Sequence, residues 1–353
     1  MISTMDIDKL LRPTILALEP YSSARNEYNG EAMIFLDANE SPFNAPYNRY
    51  PDPLQRELKQ RIAQIKHCHP EQLFLGNGSD EAIDLLFRAF CIPGKDNIVM
   101  MDPTYGMYQV AADINQVEVR KVPLDPDFQL SATEMLARAN GHTKLMFICS
   151  PNNPSGNLAA QQEIELLLQE FKGILVIDEA YIDFAPGASV LRHLEQHPNL
   201  VILQTFSKAW GMAGIRLGIA LAAPEIIEVF NKIKYPYNIN CLTQQKALEL
   251  IRQENKKEEW VNLILKERNK MEAQLREFSF VSKIYPSDAN FLLVKVDDAR
   301  QLYVWLVREG IIVRDRSRVR QCNNCLRITI GSSVENKELT EQLFRFQQIA
   351  LDN

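Results

Sequence analysis

Five short apolar runs punctuate the middle of the chain: NIVMM (97–101), KLMFICS (144–150), GILVIDEAY (173–181), LVILQTFS (200–207) and RLGIALA (216–222). Runs of this length, rich in Val, Ile and Leu, are the pattern of strands buried on both faces. Between several of them lie stretches with helical spacing, such as SDEAIDLLFRAF (79–90) and QQEIELLLQEF (161–171). Strand and helix in alternation predict an α/β fold whose large domain has a mostly parallel central sheet flanked by helices.

The pattern then changes. Residues 243–278 read as long, charged helix, followed by NFLLVKV (290–296), a helix-like ARQLYVWLVREG (299–310), IIVRD (311–315), CLRITIG (325–331) and a final amphipathic helix. This is a second, smaller α+β unit, in keeping with a 353-residue chain at roughly 150 residues per domain. The expected division is an N-terminal arm (1–40), a large domain (41–250) and a small C-terminal domain (251–353), with the boundary falling within 239–269.

A net charge of -6 argues against a broad nucleic-acid surface, which needs clustered Lys and Arg. No apolar run approaches the roughly 20 residues needed to span a bilayer. MISTMDIDKLLRPTILALEP lacks the basic segment and long apolar core of a secretory signal, so a cytoplasmic location is expected. Six scattered cysteines then favour reduced thiols. CNNC (322–325) has no second pair and HCH (67–69) is too compact for a tetrahedral site, so no metal is expected.

In open α/β sheets ligands collect outside the carboxyl ends of strands, and the informative polar residues fall there. GNGSDE (76–81) puts glycines, a hydroxyl and an acid at a helix start. Simple capping and a phosphate cup would both look like this. SPNNPSG (150–156) fixes a turn after a strand and could hold an amide rigidly. ILVIDEAY ends an apolar strand on Asp178, a costly place for a carboxylate unless it is paired. A salt bridge would suffice; a permanent partner for a protonated heteroaromatic nitrogen would also suit it, with Tyr181 nearby as a phenol donor. Strand alternation turns Glu179 to the other face.

QTFSKAWGMAGIRLG (204–218) is the most informative stretch. A lone Lys after a strand is usually solvated. Here Ser207, Lys208 and Arg216 cluster at the end of a buried strand, and Gly211, Ala213 and Gly214 let the backbone approach a ligand. A lysine amine forms a Schiff base with an aldehyde, and Ser with Arg holds a phosphate dianion. An aldehyde and a phosphate on one heteroaromatic ring describe pyridoxal 5'-phosphate.

Phosphate cup, Asn-Pro turn, apolar strand ending in Asp-x-x-Tyr, and Ser-Lys followed by Arg occur in the order found in fold-type I pyridoxal-phosphate aminotransferases, and the resemblance spans essentially the whole chain. LDANESPF (36–43), RYPDP (49–53), DPTYGMY (102–108), TFSKAWGMAGIRLG (205–218) and IIVRD...CLRITIG resemble the histidinol-phosphate aminotransferase subgroup. Ser155 stands where the family often has Thr and Ser41 where it often has Asn; both keep a small polar group.

The resemblance implies that Lys208 binds the cofactor covalently and moves the proton during catalysis, and that Asp178 keeps the pyridine nitrogen protonated. It implies that Asn153 and Tyr181 bond the ring oxygen and Tyr105 stacks on the ring. Gly78, Ser79, Asp80, Ser207 and Arg216 would surround the phosphate, with Tyr50 reaching it from the neighbouring subunit of a homodimer. Arg327 would take the α-carboxylate of glutamate, and Arg327 with Arg314, Asn153 and Tyr21 the phosphate of histidinol phosphate. The implied activity is transamination of L-histidinol phosphate with 2-oxoglutarate in histidine biosynthesis. An aromatic amino-acid aminotransferase and a decarboxylase of a phosphorylated amino acid are the alternatives on the same scaffold. A regulator with an aminotransferase-like domain is disfavoured, since no N-terminal region is left for a DNA-binding module and no basic patch is visible.

Overall fold

The computed structural model describes residues 7–20 and 34–352. Its centre is a seven-stranded sheet in the order β1-β7-β6-β5-β4-β2-β3, formed by β1 (Leu73–Asn77), β2 (Asn97–Asp102), β3 (Glu118–Pro123), β4 (Thr143–Cys149), β5 (Ile174–Asp178), β6 (Leu200–Thr205) and β7 (Leu217–Ala222). β3, β2, β4, β5 and β6 pair in parallel, while β7 runs antiparallel to both β6 and β1. The carboxyl ends of β1, β4, β5 and β6 therefore meet at one edge, where β7 begins.

The five apolar runs become β2, β4, β5, β6 and β7. Strand alternation sends Val99, Ile148, Ile177 and Ile202 into one core cluster and Ile98, Phe147, Val176 and Leu203 into another, all essentially inaccessible to solvent. Each such side chain contributes about 1.5–3 kcal/mol from burial. Among the helices covering the sheet, Ser79–Phe90 lays Ala82, Ile83, Leu86, Phe87 and Phe90 against the second cluster. β1 and β3 lie outside those runs. β3 is an edge strand, and its exposed or half-exposed Glu118, Arg120 and Lys121 suit an edge better than a core.

A four-stranded sheet in the order β10-β11-β9-β8 follows, from β8 (Val281–Ile284), β9 (Phe291–Val296), β10 (Arg314–Asp315) and β11 (Cys325–Thr329), antiparallel throughout. Helices Ala299–Arg308 and Ser333–Asp352 pack with it around a third core containing Leu292, Val294, Leu302, Leu306 and Leu326. The charged helical stretch is two helices, Cys241–Leu250 and Glu254–Leu275, joined by a 3₁₀ turn. IIVRD yields only a two-residue strand, because Ile311 N–H closes the preceding helix on Leu306 C=O. Among the described residues, no helix is long and apolar enough to cross a membrane, and no group of three or more His, Cys, Asp and Glu could hold a metal ion.

Candidate active site

The edge where β1, β4, β5 and β6 end opens into a cleft lined by Gly78, Ser79, Asp80, Tyr105, Cys149, Asn153, Asp178, Ala180, Tyr181, Thr205, Ser207, Lys208 and Arg216. Segments distant in sequence converge here because parallel strands deliver their carboxyl ends to the same side of a sheet.

Asp178, the last residue of β5, is buried. Its Oδ2 accepts a 2.6 Å bond from the hydroxyl of Tyr108, and its Oδ1 a 3.0 Å bond from Ala180 N–H. Burial pushes its pKa up to about 6, opposed by these two hydrogen bonds. Glu179 faces elsewhere, accepting from Ser189 Oγ, Val190 N–H and Gln204 Nε2. Tyr108 itself is fully buried and stacks on Phe147 at 4.6 Å. It carries no role in the sequence reading; an aromatic at the start of an apolar helix looks like core until β5 places a carboxylate beside its hydroxyl. Tyr108→Phe leaves one carboxylate oxygen of Asp178 without this donor, a loss of about 1.5–3 kcal/mol for a bond to a charged group. We expect cofactor affinity to fall about 10- to 100-fold, read by equilibrium titration of the cofactor-free protein; unchanged affinity would remove Tyr108 from the site.

Lys208 sits at the mouth of the cleft with its Nζ 5.6 Å from the ring centre of Tyr181. Burial first, then the charges of Arg327 and Arg216, lower its pKa. The loop that carries it is anchored rather than free. Phe206 N–H donates to Leu217 C=O, Met212 N–H to Phe206 C=O, and the Phe206 and Trp210 rings sit 5.3 Å apart in the core. Tyr181 is pushed up to about 12, by burial above all, so it is a hydrogen-bond donor at neutral pH.

The turn that opens helix Ser79–Phe90 has the geometry of an anion site. Gly78 caps helix Ser79–Phe90 with φ of 72°, the left-handed region, and its N–H donates to Arg216 C=O at 2.8 Å. Asp80 in the first turn is held by the Tyr105 hydroxyl at 3.1 Å and faces Arg216 at 3.7 Å. Ser207 Oγ is buried without a hydrogen-bond partner. An unpartnered hydroxyl beside an arginine and a helix N-terminus fits a phosphate group. Gly218 makes the cup possible from below, since a Cβ there would land inside the backbone of Gly78 and Ser79. Gly218→Ala should therefore displace the cup and weaken cofactor binding at least about tenfold; retention of full affinity in the same titration would refute this packing argument. A clash relieved by backbone shifts costs about 1–3 kcal/mol.

Asn152, not Asn153, holds the Asn-Pro turn. Its side chain donates to Pro103 C=O and Ser155 Oγ and accepts from Thr104 Oγ1. Asn153 is thereby left to face the cleft, where its Oδ1 accepts a 2.6 Å bond from Arg327. Arg327 lies on β11 opposite Arg314 on β10, and Arg314 is exposed. Tyr50 is absent from the cleft lining; it is half-exposed and stacks on Tyr237 at 4.3 Å. Tyr21 lies outside the described residues.

Residues 26–343 match the family model for aminotransferase class I and II. The chain belongs to the class I and II aminotransferases. The aminotransferase is 58% identical over 334 residues to a histidinol-phosphate aminotransferase of Parabacteroides distasonis, covering 95% of this chain and 97% of that one. It is 54% identical over 342 residues to a histidinol-phosphate aminotransferase of Bacteroides thetaiotaomicron, covering 97% and 99%. The crystal structure of the histidinol-phosphate aminotransferase from Clostridium acetobutylicum superposes with a TM-score of 0.79 at 26% identity, over 86% of this chain and 91% of that one. The fold expected of this aminotransferase, a mostly parallel sheet with a smaller antiparallel unit, is the fold observed.

Proposed function

We propose that this aminotransferase transfers the amino group between L-histidinol phosphate and 2-oxoglutarate, giving 3-(imidazol-4-yl)-2-oxopropyl phosphate and L-glutamate, as a step of histidine biosynthesis. The observation that carries this reading is near-full-length identity above 50% to proteins with that name. Arg327, bonded to Asn153 of the cleft, supports it as a cation able to receive the α-carboxylate of glutamate or, with Arg314, the phosphate of the second substrate.

Pyridoxal 5'-phosphate, when bound, supplies an electron sink for the pair left behind as the substrate Cα gives up its proton. Gly78, Ser79, Asp80, Ser207 and Arg216 would hold its phosphate, and Asn153 and Tyr181 its ring oxygen. Tyr105 would cover the ring. Asp178 would hold the proton on the ring nitrogen, opposite charge facing opposite charge in a buried place. Lys208 Nζ would anchor the cofactor and, once released as a free amine, would take up the substrate Cα proton. The lowering of its pKa favours the neutral amine that a base must be. The core formed by Leu292, Val294, Leu302, Leu306 and Leu326 alone supports a small unit at 251–353 beside a large one at 41–250, although Leu293, Cys322 and Cys325 join the large unit's core across their contact. We also assign the protein to the cytoplasm, and Tyr50 to the partner's site in a homodimer, where its exposed position suits a contact across the interface.

The test uses the cofactor's absorbance in the purified holoenzyme. Glutamate should change the spectrum, and the imidazole keto phosphate should restore it. Restoration only by aromatic keto acids would move the substrate assignment to an aromatic aminotransferase, and carbon dioxide release without a keto acid would move it to a decarboxylase.

A further inference from the structure

The small sheet carries a third arginine on the face from which Arg327 reaches Asn153 at the cleft. Arg316 follows β10 and extends its pairing, donating its N–H to Cys325 C=O at 2.8 Å. Alternation along the strand puts Arg316 on the same face as Arg314, and antiparallel register puts both on the face of Arg327 and Cys325. This face meets the large unit: Cys325 and Leu293 share a core cluster with Leu75, Val99 and Ile177, and Arg327 reaches Asn153.

Three guanidinium groups thus share one face, and among the described residues none of them has a carboxylate within salt-bridge distance. The Nε atoms of Arg316 and Arg327 are both buried without a hydrogen-bond partner. Burial, and next the neighbouring arginine, lower the pKa of each, Arg314 acting on Arg316 and Arg316 on Arg327. Buried donors and uncompensated like charges are costly, and an anion placed among them offsets the cost. A carboxylate presents two oxygens and one charge, which one arginine fork satisfies. A phosphate monoester presents three terminal oxygens and nearly two charges at neutral pH.

We propose that Arg316 is a specificity-determining residue that favours the phosphate dianion over a carboxylate at this position, acting in one half-reaction and not in the other. The inference rests on the substrate reading above. It assigns to the third arginine the extra charge by which the two substrates differ.

The test measures the two half-reactions of holoenzyme separately by single-turnover absorbance, for wild type, Arg316→Gln and Arg316→Lys. Loss of a hydrogen bond to a charged group is worth about 10- to 100-fold. Arg316→Gln should therefore weaken binding of histidinol phosphate by about that factor while changing glutamate by less than about threefold, and Arg316→Lys should recover part of the loss. Propyl phosphate, an unreactive probe, should inhibit the glutamate half-reaction of wild type and lose about 10- to 100-fold in potency in Arg316→Gln. Equal losses for both substrates in both variants would make Arg316 a structural support and overturn the proposal. Unaltered inhibition by propyl phosphate, with histidinol phosphate still turned over by wild type, would overturn it alone. Failure of wild type to process histidinol phosphate would overturn the substrate reading and this inference together.

Discussion

Lys208→Ala should leave a folded protein whose transamination rate is lower by more than about 10⁴-fold, combining the loss of a covalent anchor with that of a general base worth about 10²–10⁴. The fold has little to lose, because Lys208 is solvent-reached at the cleft mouth and its loop is held by Phe206, Trp210 and Met212. Those residues fix the loop through packing and backbone bonds to which the lysine side chain adds nothing. Thermal unfolding of the cofactor-free variant should therefore match wild type within about 1 kcal/mol, as expected of a change away from the core. Added methylamine, a free base small enough for the vacated space, should restore a small fraction of the rate. A variant with ordinary turnover would remove Lys208 from the chemistry, and with it the mechanism proposed here.

Asp178→Asn should lower the rate by about 10²–10³-fold, the scale for removing one preorganised electrostatic partner from a buried site. In the same variant the cofactor-free protein should become more stable at pH 8. Asp178 has a folded pKa of about 6 against an ordinary value of 3.8. A raised pKa means that the protonated carboxyl favours the folded state, fully so below about pH 3.8, and that this advantage is lost as pH rises through about 6. Above that, ionised Asp178 costs the empty protein on the order of 3 kcal/mol. Asparagine has no charge to bury and can still accept the Tyr108 hydrogen bond. The stability gap should be widest above about pH 6 and close as pH falls towards 4. Adding pyridoxal phosphate should stabilise wild type more than the variant. Urea unfolding at several pH values tests this; a less stable variant at pH 8 would show that the carboxylate is not strained in the empty site.

Much of the site can be read from the sequence because its residues break local rules. Asp178 ends a run of Ile, Leu and Val, and Lys208 follows closely on a buried strand, whereas the collision a Cβ would make at Gly218 shows only in the fold. Such violations need a reason, and a ligand provides one. Tyr108 breaks no rule, so only the meeting of its helix with β5 reveals it. Arg316 stands in RDRSRVR, four arginines in seven residues, where composition suggests a solvated loop. Which of the four share a face with Arg327 depends on the register of β10 against β11, a long-range property. β1 and β3 escape the apolar pattern for related reasons: β1 offers only three successive large apolar residues, and β3 is an edge.

The single antiparallel strand of the large sheet has a consequence for how the chain can vary. β6 and β7 pair Thr205 with Gly218, and the loop between them carries Ser207, Lys208 and Arg216. The Lys208 amine and the Arg216 guanidinium therefore hang from the two rails of one ladder. Insertions elsewhere on the surface would lengthen a loop and little more. One extra residue here would either bulge the loop, moving Lys208 relative to Arg216, or slip the ladder and turn Gly218 away from the Gly78 cup. This connection works as a ruler, and its length should resist change more than that of any other loop around the cleft.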